Sequence, residues 1–185
     1  MIPCLVVRGE ANALVLRKLL EPEFGPELRV LGTDVFSESV SLARSVLSNR
    51  KAIVALVAGT RSTELQKIRE LHRFLVYALV QIECPDLWKV VLVVPDTEVM
   101  LFQDRNVLRQ VLGREPTDEE LTRGQTEPVQ LLEEVLGLKN NILRDEELCR
   151  RLASVDVSCL AEHPVVQQVR RFFRDHREGR STLSL

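Results

Sequence analysis

The chain opens on an apolar run, Ile2–Val7, broken by Gly9 and followed by a three-and-four spacing of apolar positions from Ala11 to Leu20. That change of period marks a strand passing into a helix. Pro22 and Pro26 punctuate the helix, and Leu28–Leu31 reads as a second short strand. A helix opening at Ser37 or Ser39 carries the stripe Val40, Ala43, Val46 and Leu47. Ile53–Val57 is continuous and rich in β-branched residues, as suits a strand covered on both faces. Gly59-Thr60-Arg61-Ser62 forms a turn, and Ser62 or Thr63 is placed to cap the next helix. Its stripe runs through Leu65, Ile68, Leu71, Leu75, Leu79 and Ile82 until Pro85 and Asp86 stop it. Val90–Val94 is the fourth strand, closed by Pro95.

After residue 96 the signals are helical: Glu98–Leu112, Asp118–Thr122, Val129–Leu136 ending at Gly137, Glu146–Leu152 and Pro164–Phe173. Thr117 and Glu120 stand at capping-box spacing, and Pro164 suits a helix start. Strands separated by helices require crossover connections. The reading is therefore α/β: a mainly parallel sheet of about four strands flanked by helices, with a C-terminal helical extension. Residues 1–105 form the α/β core, 106–176 the helical extension packed on it, and 177–185 a flexible tail.

Composition narrows the classes. The 185 residues are 45% hydrophobic and 28% charged, which suits a folded domain and not a disordered chain. A net charge of −2 gives no global attraction to nucleic acid or an anionic membrane. No run approaches the roughly 18–20 apolar residues that span a bilayer, and no secretory leader is visible, so a cytoplasmic location is expected. Cys4, Cys84, Cys149 and Cys159 show no CxxC pairing, which predicts reduced, mostly buried thiols. His72, His163 and His176 lack metal-ligand spacing. Neither a GxxxxGK[ST] phosphate loop nor a nucleophile elbow is present.

In an open parallel sheet, ligands bind at the carboxyl ends of the strands. Those ends are Arg8-Gly9-Glu10-Ala11-Asn12, Gly32-Thr33-Asp34, Ala58-Gly59-Thr60-Arg61-Ser62 and Pro95-Asp96-Thr97-Glu98. The segments Val6–Leu14 and Ile53–Ser62 follow the order of an acidic strand–glycine–helix motif and a later strand ending in paired acids. In this the chain resembles the Toprim family, which includes topoisomerase and primase domains and nucleases of the overcoming-lysogenization-defect type. Val94–Leu101 and the closing His163-Pro164 to Phe172-Phe173 helix are similar to segments of small bacterial Toprim-related proteins. The resemblance covers about the first 105 residues well and the remainder loosely. It implies a Toprim/Rossmann-like fold, divalent-metal nuclease chemistry and work beside an ATPase in bacterial genome defence.

The chemistry-bearing positions of that pattern are replaced. Arg8 stands where a glutamate is expected, Ala58 and Thr60 where aspartates would hold magnesium, and Asn12 where an acid follows the first glycine. An arginine about 5 Å from a divalent ion is repelled by roughly 7 kcal/mol at an effective dielectric of 20. Three readings follow. The first is a degenerate, non-catalytic binding or regulatory subunit with a protein partner, an ATPase first among them, and no cofactor. The second is an Mg- or Mn-dependent DNA or RNA nuclease using displaced acids, with Glu10 and Glu98 as catalytic candidates and Glu10, Asp34 and Glu98 as metal ligands. The third is a self-assembling structural component, a homo-oligomer. Glu10 and Glu98 also suit acids that complement helix dipoles, and Asp34 a turn or cap.

Arg8, Thr60, Arg61, Ser62 and the amides after Gly59 gather at one strand end, a combination that favours an anion. The alternative is that Arg8 pairs with Glu10 or Glu98. Arg150, Arg151, Arg170, Arg171, Arg174, Arg177 and Arg180 make a basic C-terminal region. It reads either as a solvated helix face or as a contact for an acidic partner or a nucleic-acid backbone. Phe172 and Phe173 share a stripe with Val165, Val166 and Val169 and are expected core anchors.

Overall fold

The computed structural model describes residues 1–49, 51–82 and 85–179. Four strands, β1 (Ile2–Arg8), β2 (Arg29–Thr33), β3 (Ala52–Gly59) and β4 (Trp88–Val93), form one sheet in the order β2-β1-β3-β4. Every pairing is parallel: Cys4–Arg8 against Arg29–Thr33, Ile2–Val7 against Ala52–Val57, and Val54–Gly59 against Trp88–Val93. The crossovers are α1 (Glu10–Phe24), α2 (Phe36–Ser48) and α3 (Leu65–Val80). The C-terminal part is helical, with α4 (Arg105–Leu112), α5 (Asp118–Arg123), α6 (Pro128–Leu136), α7 (Asn141–Leu152) and α8 (Pro164–Arg177). The expected α/β architecture, a parallel sheet flanked by helices and followed by further helices, is what the chain adopts.

The alternation of β1 explains the two layers. Leu5 and Val7 point into a core shared with α1, α4, α7 and α8, whereas Cys4 and Val6 point to the opposite face, under α2 and α3. Residues of the C-terminal helices, such as Leu132, Leu148, Val166 and Phe173, belong to the same apolar cluster as β1 and α1. Phe172 and Phe173 are buried there as expected, with Phe173 edge-on to Phe24 at 5.5 Å.

Several boundaries differ from the sequence reading. Helix α1 runs through Pro22 to Phe24, because Leu19, Leu20 and Phe24 are held on the core and Arg170 donates to the Leu19 carbonyl beside the proline. Helix α2 begins at Phe36 without a side-chain cap; Ser39 lies buried in its first turn, its hydroxyl against Thr33. Helix α3 begins at Leu65, later than Ser62 or Thr63 would place it; the Ser62 hydroxyl instead accepts from the Glu64 amide. Of its apolar stripe only Leu75 and Leu79 are buried, and Leu65 is exposed, since α3 covers just the edge of the sheet. The segment read as one helix from Glu98 is two, a 3-10 turn over Thr97–Phe102 and then α4. Asp104 breaks it by accepting from the amides of Asn106 and Val107.

The capping box at Thr117 and Glu120 and the left-handed stop at Gly137 are formed as read. Helix α7 starts five residues earlier than Glu146, capped by Asn140. Cys4, Cys149 and Cys159 are free thiols; Cys159 is exposed, so burial does not hold for all three. Cys84, Arg180 and the stretch 180–185 lie outside the described residues. No helix among the described residues is long and apolar enough to cross a membrane.

Candidate functional site

The strand order sets the place. From β1 the chain crosses to β2 on one side, and from β3 it crosses to β4 on the other. The carboxyl ends of β1 and β3 therefore flank the switch point where parallel sheets open a crevice. Two cavities adjoin there, and Arg8 and Asp96 line both.

The smaller holds about 40 Å³ and gathers Asp34, Asp96, Glu98 and Asp145 with Arg8, Asn12 and Arg144. One carboxylate oxygen of Glu98 is buried without a hydrogen-bond partner. Burial first, and the charge of Asp96 second, push the Glu98 carboxyl up to about 8, with Arg144 and Asn12 pulling the other way. A carboxyl raised this far is a poor anionic ligand for a metal at neutral pH. Arg144 is nearly buried and ion-paired with Glu133. Asp145 reaches across from α7 to accept from the amides of Glu10 at 2.6 Å and Ala11 at 3.1 Å, and so caps the N-terminus of α1. Its own carboxyl is raised by burial, and those two amides oppose the shift. Asn12, also buried, donates to the Arg8 carbonyl at 2.9 Å.

The residues named from sequence are only partly brought together. Asp34 and Glu98 line this cavity, but Glu10 does not. Glu10 is exposed at the first position of α1 with its carboxylate over Gly32, where a Cβ would come within 2.6 Å of it. Asp34 precedes the N-cap residue of α2, and no side-chain hydrogen bond caps that helix. No cluster of three or more His, Cys, Asp or Glu placed to hold a metal ion occurs among the described residues.

The larger cavity, about 280 Å³, has Arg8 and Arg61 on its rim and Phe36, Ala58 and Leu71 among its walls. Arg8 has the parity of Cys4 and Val6 and so faces the α2–α3 side, where it makes no ion pair with any described residue, neither Glu10 nor Glu98. The other anion-binding candidates are engaged. Thr60 turns its hydroxyl to the carbonyls of Ser62 and Pro95, and its amide donates to Val93. The Arg61 amide donates to the Pro95 carbonyl at 2.6 Å, and its guanidinium lies 3.7 Å from Asp96. The amides after Gly59 therefore tie the turn to β4 and are not free for a ligand. Arg61 adopts a left-handed backbone, φ 52°. Gly59 is demanded by contact, since a Cβ there would sit 2.0 Å from an Asp96 oxygen.

Sequence reading missed Arg144 and Asp145. The local signal was Asn140, whose side chain caps α7 and starts it early enough to include both residues. The C-terminal arginines are largely committed inside the molecule. Arg170 and Arg174 hold Glu23 on α1, while Arg150 and Arg151 flank Glu147. Arg150, Arg171, Arg174 and Arg177 keep exposed side chains, and Arg171 lies 3.9 Å from Asp175. No protein-family model, no curated protein and no solved structure matches this chain.

Proposed function

We propose that this chain is a Toprim-like protein whose fold serves as a non-catalytic binding or regulatory subunit, acting in the cytoplasm through the rim of its strand ends. The observation that carries this reading is Arg8. A partly buried guanidinium without an ion pair among the described residues occupies the end of β1, where the resemblance expects a glutamate. Such a cation opposes a divalent ion and favours an acidic group. The raised carboxyl of Glu98 and the committed hydroxyl of Thr60 point the same way. By resemblance, an ATPase of bacterial genome defence is the first partner class. A protein partner is favoured over nucleic acid, because most of the C-terminal arginines already hold internal partners.

The test is incubation of the purified chain with plasmid DNA and with RNA in magnesium or manganese, alongside light scattering over a range of concentrations. The subunit reading expects intact substrates and a monomer. A concentration-independent oligomer would favour the self-assembling component instead. One observation favours the nuclease as second reading: four carboxylates, Asp34, Asp96, Glu98 and Asp145, line one cavity. Cleavage lost in Glu98→Ala would establish it.

A further inference from the structure

We propose that the larger cavity at the switch point binds a small organic anion, its carboxylate or phosphomonoester group on Arg8 and its flat apolar body between Phe36 and Leu71. This rests on the reading of the strand ends as a binding site and names what they would bind.

Three observations carry it. The first is size and shape. About 280 Å³ accommodates on the order of ten non-hydrogen atoms, each taking about the volume of a water, and the space opens between the ends of β1 and β3. The second is polarity. Phe36, Ala58 and Leu71 give apolar contact, with the backbone of Val57 and Gly59 behind them. Phe36, half-buried, lies with its ring 6.4 Å from that of Phe74, so one wall of the cavity is aromatic. The third is charge. Arg8 and Arg61 against Asp96 leave the lining residues one positive charge in excess, and Asp96 is 3.7 Å from Arg61. Arg8 is left as the cation without an ion pair among the described residues, at the mouth of an apolar space. An arginine so placed is a carboxylate or phosphate receptor, because its planar fork donates two parallel hydrogen bonds.

Asp96 is the one carboxylate of the lining, and the neutral polar groups there are already engaged. The buried Ser39 hydroxyl is engaged with Thr33, and Thr60 with two carbonyls. Recognition is therefore by one guanidinium and an aromatic wall. Phosphate alone, lacking the apolar body, uses half the site.

The test is titration of the isotope-labelled full chain, in EDTA, with phenyl phosphate, phenylacetate, inorganic phosphate and benzyl alcohol, followed by amide correlation spectra. Saturable shifts at Arg8, Phe36, Gly59 and Thr60 are expected with phenyl phosphate or phenylacetate. Inorganic phosphate and benzyl alcohol should bind at least tenfold more weakly. Tighter binding of phenyl phosphate identifies a phosphomonoester, tighter binding of phenylacetate a carboxylate. Arg8→Met should weaken the better probe tenfold or more, and Phe36→Ala should do so by a different route, which keeps the test open should one variant misfold. Arg171→Met, on the distant α8, should change nothing. Benzyl alcohol binding as tightly as the anions, no saturation, or an unaltered Arg8→Met would overturn the proposal. Because the titration excludes metal, metal-dependent cleavage would sink the subunit reading without deciding this one.

Discussion

The environment of single residues decides the chemistry of the strand ends. Glu98 keeps its proton to about pH 8 in the folded chain, against an ordinary 4.5 in the unfolded one. Between those values the folded state holds one more proton, so stability falls as pH rises from about 4.5 and levels off above about 8. Glu98→Gln removes that proton linkage. Urea unfolding at several pH values should show a flatter profile for the variant and a gain over wild type at pH 8 on the order of a few kcal/mol. A variant that keeps the wild-type slope would place the raised carboxyl elsewhere. Gly59 is the second telling residue. Gly59→Ala drives a methyl group into the Asp96 carboxylate and its backbone, 2.0 Å and 2.9 Å away. It should cost about 1–3 kcal/mol, read as a lower urea midpoint with an unchanged slope.

At the scale of elements, the long-range cap is the feature that joins the two parts of the chain. Asp145 on α7 satisfies amides at the start of α1, 134 and 135 residues earlier. Asp145→Ala should lower stability by about 1–2 kcal/mol, and hydrogen exchange should quicken in the first turn of α1 before it does in β1. Equal exchange in both would argue against a capping role. Lys18 answers from α1, donating to the carbonyls of Leu152, Ala153 and Val155 at the end of α7. The strands and crossover helices were legible in the chain because their apolar periods are local. Arg144 and Asp145 were not, because their meaning depends on α7 lying beside α1, a contact that no local pattern encodes. The stripe of α3 misled for a related reason: its period is helical, but the edge strand β4 gives it too little to cover. The extension of α1 beyond Pro22 likewise depends on Arg170 and the core under Phe24.

For the whole molecule, the switch point of the sheet places two unlike cavities side by side and makes Arg8 their common wall. One is small and rich in acids, with the Glu98 carboxyl raised; the other is larger and apolar, with a cation at its mouth. The C-terminal helices share an apolar cluster with β1 and α1, so thermal unfolding should be a single cooperative transition. The proposed function depends on the cation Arg8 standing at the end of β1, where it would repel a divalent ion. Calorimetric titration of the wild-type chain with manganese at neutral pH addresses this most directly. No saturable heat is predicted for the wild type. Saturable binding that disappears in Glu98→Ala would contradict the account and place a metal among Asp34, Asp96, Glu98 and Asp145.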